Sequence, residues 1–173
     1  MARNVEIKAV IPSEHFSELR ERASNLATKG PMQLVQTDTF FAANQGRLKL
    51  REFDDGTAEL IAYERPDCEG PKTSNYVRSS CDGSSMKDAL ANSLGVTGVV
   101  QKDREVFLVD QTRIHLDQVE GLGTYLELEV VLGDADSVES GETIAQELMK
   151  KLGVNQSQLV SGAYFDLLIG ANA

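Results

Sequence analysis

Two carboxylates two residues apart, Glu127 and Glu129, sit in the stretch Gly121 to Leu132, GLGTYLELEVVL. Side chains alternate across a strand, so Tyr125, Glu127, Glu129 and Val131 would share one face. Leu126, Leu128, Val130 and Leu132 make the other face apolar throughout. A Glu-x-Glu pair of this kind is either a solvated sheet face or a cation site. Other stretches repeat the alternation with bases. Arg47-Leu48-Lys49-Leu50-Arg51 puts three bases on one face and two leucines on the other, and Asn4-Val5-Glu6-Ile7-Lys8 and Lys102-Asp103-Arg104 also set charged residues two apart. Carboxylates on some strands and bases on others imply a shared polar interior.

If these faces meet in one cavity, its bases are Lys8, Lys49, Arg51, Arg65, Lys102 and Arg104, with Arg47 near the mouth, and its acids are Glu6, Glu59, Asp117, Glu127 and Glu129. His115 shares the face of Asp117 and lines the cavity or lies outside it, whereas His15 is expected on the surface of the first helix. Unpaired buried charges are prohibitively costly, so such a lumen must hold water, ions or a charged ligand. Clustered guanidinium and ammonium groups suit a polyphosphate. Carboxylates beside them suit Mg²⁺ or Mn²⁺, hard ions that bridge protein carboxylates to substrate phosphates. The combination points to phosphoryl or nucleotidyl chemistry. The competing reading keeps the same residues as cross-strand ion pairs on a solvated sheet, each worth little.

The elements that must position these groups are mostly strands. Strands are expected over 3–10, 33–43, 47–53, 59–65, 73–80, 97–108, 111–119 and 121–132, with the Asp54-Asp55-Gly56 turn marking a hairpin. Helices are expected from a Ser13 cap, with Phe16, Leu19, Ala23 and Leu26 at helical spacing and Lys29-Gly30-Pro31 as the stop; from Ser84 and Ser85 to Gly95; from Ser137 to Gly153; and from Gln156 to Ile169. Eight hairpin-linked strands can close into a barrel, which removes the unpaired edges. The fold expected is therefore α+β: an eight-stranded antiparallel closed barrel with a polar lumen and helices covering an apolar exterior, one domain over residues 1–173. A net charge of −10 argues against nucleic-acid and membrane-surface partners but not against an anionic small molecule. There is no run of 18 apolar residues and no signal-peptide pattern at the N-terminus, and Cys68 and Cys81 match no metal or redox spacing. Free thiols and a cytoplasmic location are expected, the protein acting as a monomer or homodimer.

Taken together, these stretches resemble the CYTH superfamily, the triphosphate tunnel metalloenzymes, which includes class IV adenylyl cyclases, thiamine triphosphatases and inorganic tripolyphosphatases. The family's N-terminal Glu-x-Glu-x-Lys reads here Asn4-Val5-Glu6-Ile7-Lys8, and its basic strand is matched by Arg47 to Arg51. Lys102-Asp103-Arg104 resembles its Lys-x-Arg strand, Ile114 to Glu129 its metal-binding hairpin, and Ala163-Tyr164-Phe165-Asp166-Leu167-Leu168 its C-terminal element. The resemblance implies Mg²⁺ or Mn²⁺ on Glu6, Glu127 and Glu129, with Asp117 close by, and phosphates on Lys8, Lys49, Arg51, Lys102 and Arg104. Tyr164 would sit near the tunnel entrance, and Glu6, Lys8, Glu127 and Glu129 would carry catalysis. Asn4 departs from the pattern by removing one negative charge from the metal site. The fourth-strand base is Arg65 by parity, with Lys72 and Arg78 as substitutes if the register slips. The activity implied is metal-dependent hydrolysis of a triphosphate. The alternatives are a class IV-type adenylyl cyclase and a non-catalytic binder of phosphorylated ligands.

Overall fold

The computed structural model describes residues 1–171. Eight strands form one closed antiparallel barrel in the order β1-β5-β4-β3-β2-β6-β7-β8. They are β1 (Ala2–Ile11), β2 (Lys29–Phe41), β3 (Arg47–Phe53), β4 (Ala58–Glu64), β5 (Lys72–Cys81), β6 (Val96–Val109), β7 (Thr112–Val119) and β8 (Gly123–Leu132). Four helices lie outside: α1 (Phe16–Leu26), α2 (Gly83–Leu94), α3 (Val138–Lys151) and α4 (Tyr164–Ala171). The expected α+β barrel is the one observed. β1 closes it, pairing with β5 on one side and β8 on the other, and this sets Glu6 opposite Glu129 and Lys8 opposite Glu127.

The parity of the strands decides where the core sits. Val5, Ile7 and Ala9 of β1, Ile114 and Leu116 of β7, and Leu126, Leu128 and Val130 of β8 all point out of the barrel and are buried. They pack against Phe16, Leu19 and Ala23 of α1 and Leu148, Met149 and Leu152 of α3. Leu50 and Ala58 pack in the same way under Met86 and Leu90 of α2. The apolar core is therefore a jacket around the barrel, which leaves the interior to the charged faces. One end of the barrel is closed by a third cluster, in which Tyr164 joins Phe40, Val100, Val119 and Tyr125, with Phe165 and Leu168 of α4 against it. Gly98 makes room for this cap, since a Cβ there would collide with the Phe165 ring.

Four expectations are corrected. Gly30-Pro31 lies inside β2, which begins at Lys29 and absorbs the pair through a register shift against β6. A Cβ on Gly30 would approach the Val106 carbonyl oxygen to 2.6 Å, so only glycine fits this crossing. Ser13 caps no α-helix: it opens a single 3₁₀ turn closed by His15 N–H on the Pro12 carbonyl, and α1 follows at Phe16. Asp82 caps α2 in place of a serine, accepting from Ser85 N–H at 3.1 Å. The expected helix from Gln156 to Ile169 is split. After one 3₁₀ turn (Gln156–Gln158), Leu159 bridges Ala9 and Val160 N–H donates to the Lys8 carbonyl, so this segment runs extended along β1 before α4 begins.

Candidate functional site

The barrel encloses a cavity of about 330 Å³, the size of a small-ligand site. Eight bases line it: Lys8, Lys49, Arg51, Arg65, Arg78, Lys102, Arg104 and Arg113. Five carboxylates do so too: Glu6, Asp38, Glu59, Glu127 and Glu129. Within a chain of net charge −10 the lumen is thus positive, as alternation on separate strands foretold.

The carboxylates divide into two groups by how fully they are satisfied. Asp117 is completely buried on β7: its Oδ1 accepts from Arg104 Nε and its Oδ2 from Arg104 NH2, both at 2.7 Å, and Oδ2 also accepts from the Tyr164 hydroxyl at 2.6 Å. Burial alone would raise its carboxyl, but the Arg104 guanidinium holds it below the usual carboxylate range. Both oxygens of Asp117, expected beside the metal, are therefore engaged in holding Arg104 and the α4 cap. Asp38 of β2 is bound as completely. Its Oδ1 accepts from Arg51 Nε at 2.7 Å, and its Oδ2 accepts from Arg51 NH2 at 2.7 Å and from Lys49 and Lys102 Nζ at 3.0 Å each. One buried carboxylate on β2 thus gathers three bases, two from β3 and one from β6, onto one side of the lumen.

Glu127, Glu129 and Glu6 form the other group. Glu127 meets Lys8 at 3.7 Å, Arg104 at 3.5 Å and His115 Nδ1 at 3.4 Å, and none of these is a short charge-assisted bond. Burial would raise its carboxyl, but Arg104, His115 and Lys8 hold it well below the normal value, so it is ionised. Glu129 accepts from Arg113 Nε at 2.8 Å. Glu6 accepts from Arg65 NH1 at 2.6 Å, yet its carboxyl is raised by burial and by the nearby Glu127 and Glu129 charges. A cation among these groups would relieve that repulsion. His115, Glu127 and Glu129 each offer one donor atom, all within 4.8 Å of one another. Asn4 Oδ1, in the wall of the same cavity, is buried without a hydrogen-bond partner. Carboxylates, an imidazole and an unpartnered carbonyl oxygen are a donor set that fits a divalent metal ion.

Each remaining base has a definite place. Arg65 lies in the cavity wall just beyond β4, and its buried Nε and NH2 have no hydrogen-bond partner. Lys72 is spent on backbone, donating to the Cys68 carbonyl at 2.9 Å and the Val160 carbonyl at 3.4 Å. Arg78 lies at the end away from α4 and meets Glu59 at 3.9 Å. Arg47 stands on the outer rim between Asp67 and Asp166, at 2.9 and 2.8 Å. Lys8 donates to the Gly162 carbonyl at 3.1 Å with its ammonium 4.2 Å from the Tyr164 ring centre. Tyr164 is buried and closes the α4 end of the cavity from beneath Lys8 and Lys102. His115 is in the lumen and His15 is exposed on the surface. The sequence reading passed over Asp38 and Arg113. The parity of Asp38 with Gln36 and Phe40 was available, but a single acid among threonines carried no charge pattern.

Burial pushes the Lys102 ammonium down to about 7, against the pull of Asp38, and the Lys8 ammonium down to about 8, against the pull of Glu127. A bound polyphosphate favours the charged forms. Below pH 7 Lys102 already carries its proton; above it, binding of a polyanion must take one up, so if tripolyphosphate is a ligand its binding should weaken through Lys102 by up to about tenfold per unit rise in pH. Calorimetry across pH 6 to 9 on wild type and Lys102→Met checks this, because the difference between them cancels the ligand's own ionisation. The component starting near 7 should be lost in the variant and the step near 8 kept. The stability linkage has its own sign. An unfolded lysine titrates near 10.4, so from about pH 7 to 10 the unfolded chain holds a proton the folded one lacks, and the Lys102 contribution to stability rises with pH.

The model of the CYTH domain matches residues 2–164. The Methanocaldococcus jannaschii protein named "Putative adenylate cyclase MJ0240" is 24% identical over 173 residues, covering 94% of this chain and 98% of that protein. The structure of PH1012 from Pyrococcus horikoshii OT3 superposes with a TM-score of 0.79 at 20% identity, covering 95% of this chain and 99% of that one. The Hippeastrum protein HpAC1, described as a putative adenylyl cyclase with a dominant triphosphatase activity, superposes with a TM-score of 0.68 at 16% identity over 98% of this chain and 96% of its own. At these identities the structures share the fold, and the family match extends over nearly the whole chain, from the Asn4-x-Glu6-x-Lys8 strand to Tyr164. The chain belongs to the CYTH domain family.

Proposed function

We propose that this protein is a divalent-metal-dependent triphosphatase, with residues 1–173 acting as one catalytic domain. The observation that carries the reading is the excess of bases in a closed lumen, with two buried Arg65 nitrogens left without partners and Glu127 without a short bond to any base. Lys49, Arg51 and Lys102, fixed by Asp38, grip the phosphate oxygens from one side. Arg65 and Lys8 meet them from the β1 side, where Arg65 keeps free donors. Arg104 is locked by Asp117 and presents a fixed charge to the phosphates. Glu127 and Glu129, with Glu6 opposite, hold the Mg²⁺ or Mn²⁺ ion, which supplies charge neutralisation at the phosphates when bound. A carboxylate of this group orients a water and accepts its proton as the water oxygen bonds to the terminal phosphorus, the bond from that phosphorus to the bridging oxygen breaks, and the leaving group departs with its charge toward the bases. The two cysteines are free thiols, in keeping with a reducing cytoplasm. Among the described residues no helix is long and apolar enough to cross a membrane.

The Methanocaldococcus relative's name favours a second reading, an adenylyl cyclase, in which the ribose 3′-hydroxyl takes the place of water and attacks the α-phosphorus. The description of HpAC1 pairs the two activities within one fold, with hydrolysis dominant in that protein. The test is incubation with tripolyphosphate, thiamine triphosphate and ATP, each with Mg²⁺ and with Mn²⁺. Free phosphate well above a Glu127→Gln control is the expected result. Cyclic AMP and pyrophosphate appearing together from ATP would replace the hydrolase by the cyclase. Tight metal-free binding of a triphosphate without turnover would replace both by a binding protein.

A further inference from the structure

In the proposed function the metal rests on Glu6, Glu127 and Glu129, and the imidazole beside them is not used. His115 of β7 is 3% exposed and stands between two carboxylates, with Nδ1 3.4 Å from Glu127 Oε1 and Nε2 3.9 Å from Glu129 Oε2. Neither distance is a good hydrogen bond, and both leave room for one ion held by a ring nitrogen and the carboxylate oxygens. On β1, which flanks β8 on the other side, Asn4 Oδ1 is also buried and unpartnered and offers a neutral oxygen. The groups on offer are thus two carboxylates, a neutral oxygen and an imidazole nitrogen, fewer anionic oxygens than a set of carboxylates alone would supply. Hard Mg²⁺ prefers oxygen donors and full charge, whereas imidazole suits the later first-row ions and follows the rising affinity from Mn²⁺ upward.

Resting on the metal-dependent reading of this site, we propose that His115 is itself a metal ligand, through an imidazole nitrogen, together with Glu127 and Glu129, and that the site selects Mn²⁺ or a later first-row ion over Mg²⁺. The chain has two histidines, and the other, His15, is exposed on the 3₁₀ turn before α1. A metal–imidazole signal from the protein can therefore be assigned without ambiguity.

The experiment is pulsed electron paramagnetic resonance of the full chain loaded with Mn²⁺ alone, without substrate. Modulation from a directly bound imidazole nitrogen is expected in wild type and in His15→Gln, and its loss in His115→Gln. Calorimetry should give Mn²⁺ an advantage over Mg²⁺ of about tenfold or more in wild type, shrinking to a few-fold in His115→Gln through weaker Mn²⁺ binding. Bound Mn²⁺ with no imidazole coupling in His15→Gln overturns the proposal while leaving the carboxylate metal site intact, and that result stands even if His115→Gln does not fold. No saturable Mn²⁺ binding at all overturns the proposal together with the metal-dependent reading on which it rests.

Discussion

An Asp117→Asn variant should lose about 3 to 5 kcal/mol of stability, the cost of leaving a buried charge without its partner. Asp117 is fully buried, and both its oxygens are used: Arg104 donates to each at 2.7 Å, and the Tyr164 hydroxyl donates at 2.6 Å. An amide is of nearly the same size, but it turns an NH₂ group toward donors. Arg104 is 4% exposed, and its remaining carboxylate contact is Glu127 at 3.5 Å. The α4 cap suffers as well, since Tyr164 loses its acceptor and packs against Tyr125 at the closed end. For a chain of this length the melting temperature should fall by roughly 10 °C, read by calorimetry without ligand. Replacing both partners together, Arg104→Met with Asp117→Leu, should recover much of that loss, because an apolar pair leaves no orphaned charge. If Asp117 were chiefly a metal ligand, the single variant would instead melt near wild type in the absence of metal.

Arg51→Ala should tell chiefly on activity. Losing a charge-assisted contact to a phosphate removes about 1.5 to 3 kcal/mol, so kcat/KM for tripolyphosphate should drop by roughly ten- to a hundredfold. The ligand-free protein should lose about 1 to 2 kcal/mol, less than Asp117→Asn, because most of the partners of Asp38 remain. When Arg51 is gone Asp38 Oδ2 keeps Lys49 and Lys102, each at 3.0 Å, but Oδ1 loses its donor, Arg51 Nε, and the relief from removing one repulsive base offsets only part of that loss. Exposed pairs on a solvated sheet would give nearly unchanged activity and a small loss of stability. Asp38→Asn is the reciprocal case. Three bases would then face one another without their shared anion, which should destabilise the empty protein and enlarge its gain from added tripolyphosphate.

The charged faces were legible because strand parity is strict: once 47–53 and 123–132 are strands, Lys49 and Arg51 must share one side and Leu126 and Leu128 the opposite side. Closure followed from the number of hairpins, and with it Glu6 and Lys8 fell beside Glu129 and Glu127. Parity names a face but not a partner. Which acid holds which base depends on the register across strands distant in sequence, as where Asp38 and Lys102 are 64 residues apart. Asp117 therefore read as one more lumen acid, when Arg104 across β6 and Tyr164 from α4 had already taken its oxygens. His115 stayed open for the same reason: its imidazole faces the lumen because β7 pairs it with Glu127. The C-terminal helix was expected to run unbroken from Gln156, yet the backbone of Leu159 and Val160 is held extended by Ala9 and Lys8, partners distant in sequence that no local pattern reveals.

The most direct measurement is the melting temperature of the wild-type protein with and without inorganic tripolyphosphate, in the presence of Mn²⁺. A ligand at about a hundred times its Kd stabilises by about 2.7 kcal/mol, so the account predicts a rise of roughly 5 to 10 °C, shrinking sharply in Arg51→Ala. No rise in wild type, or an equal rise in both proteins, would contradict a tunnel built to hold a triphosphate.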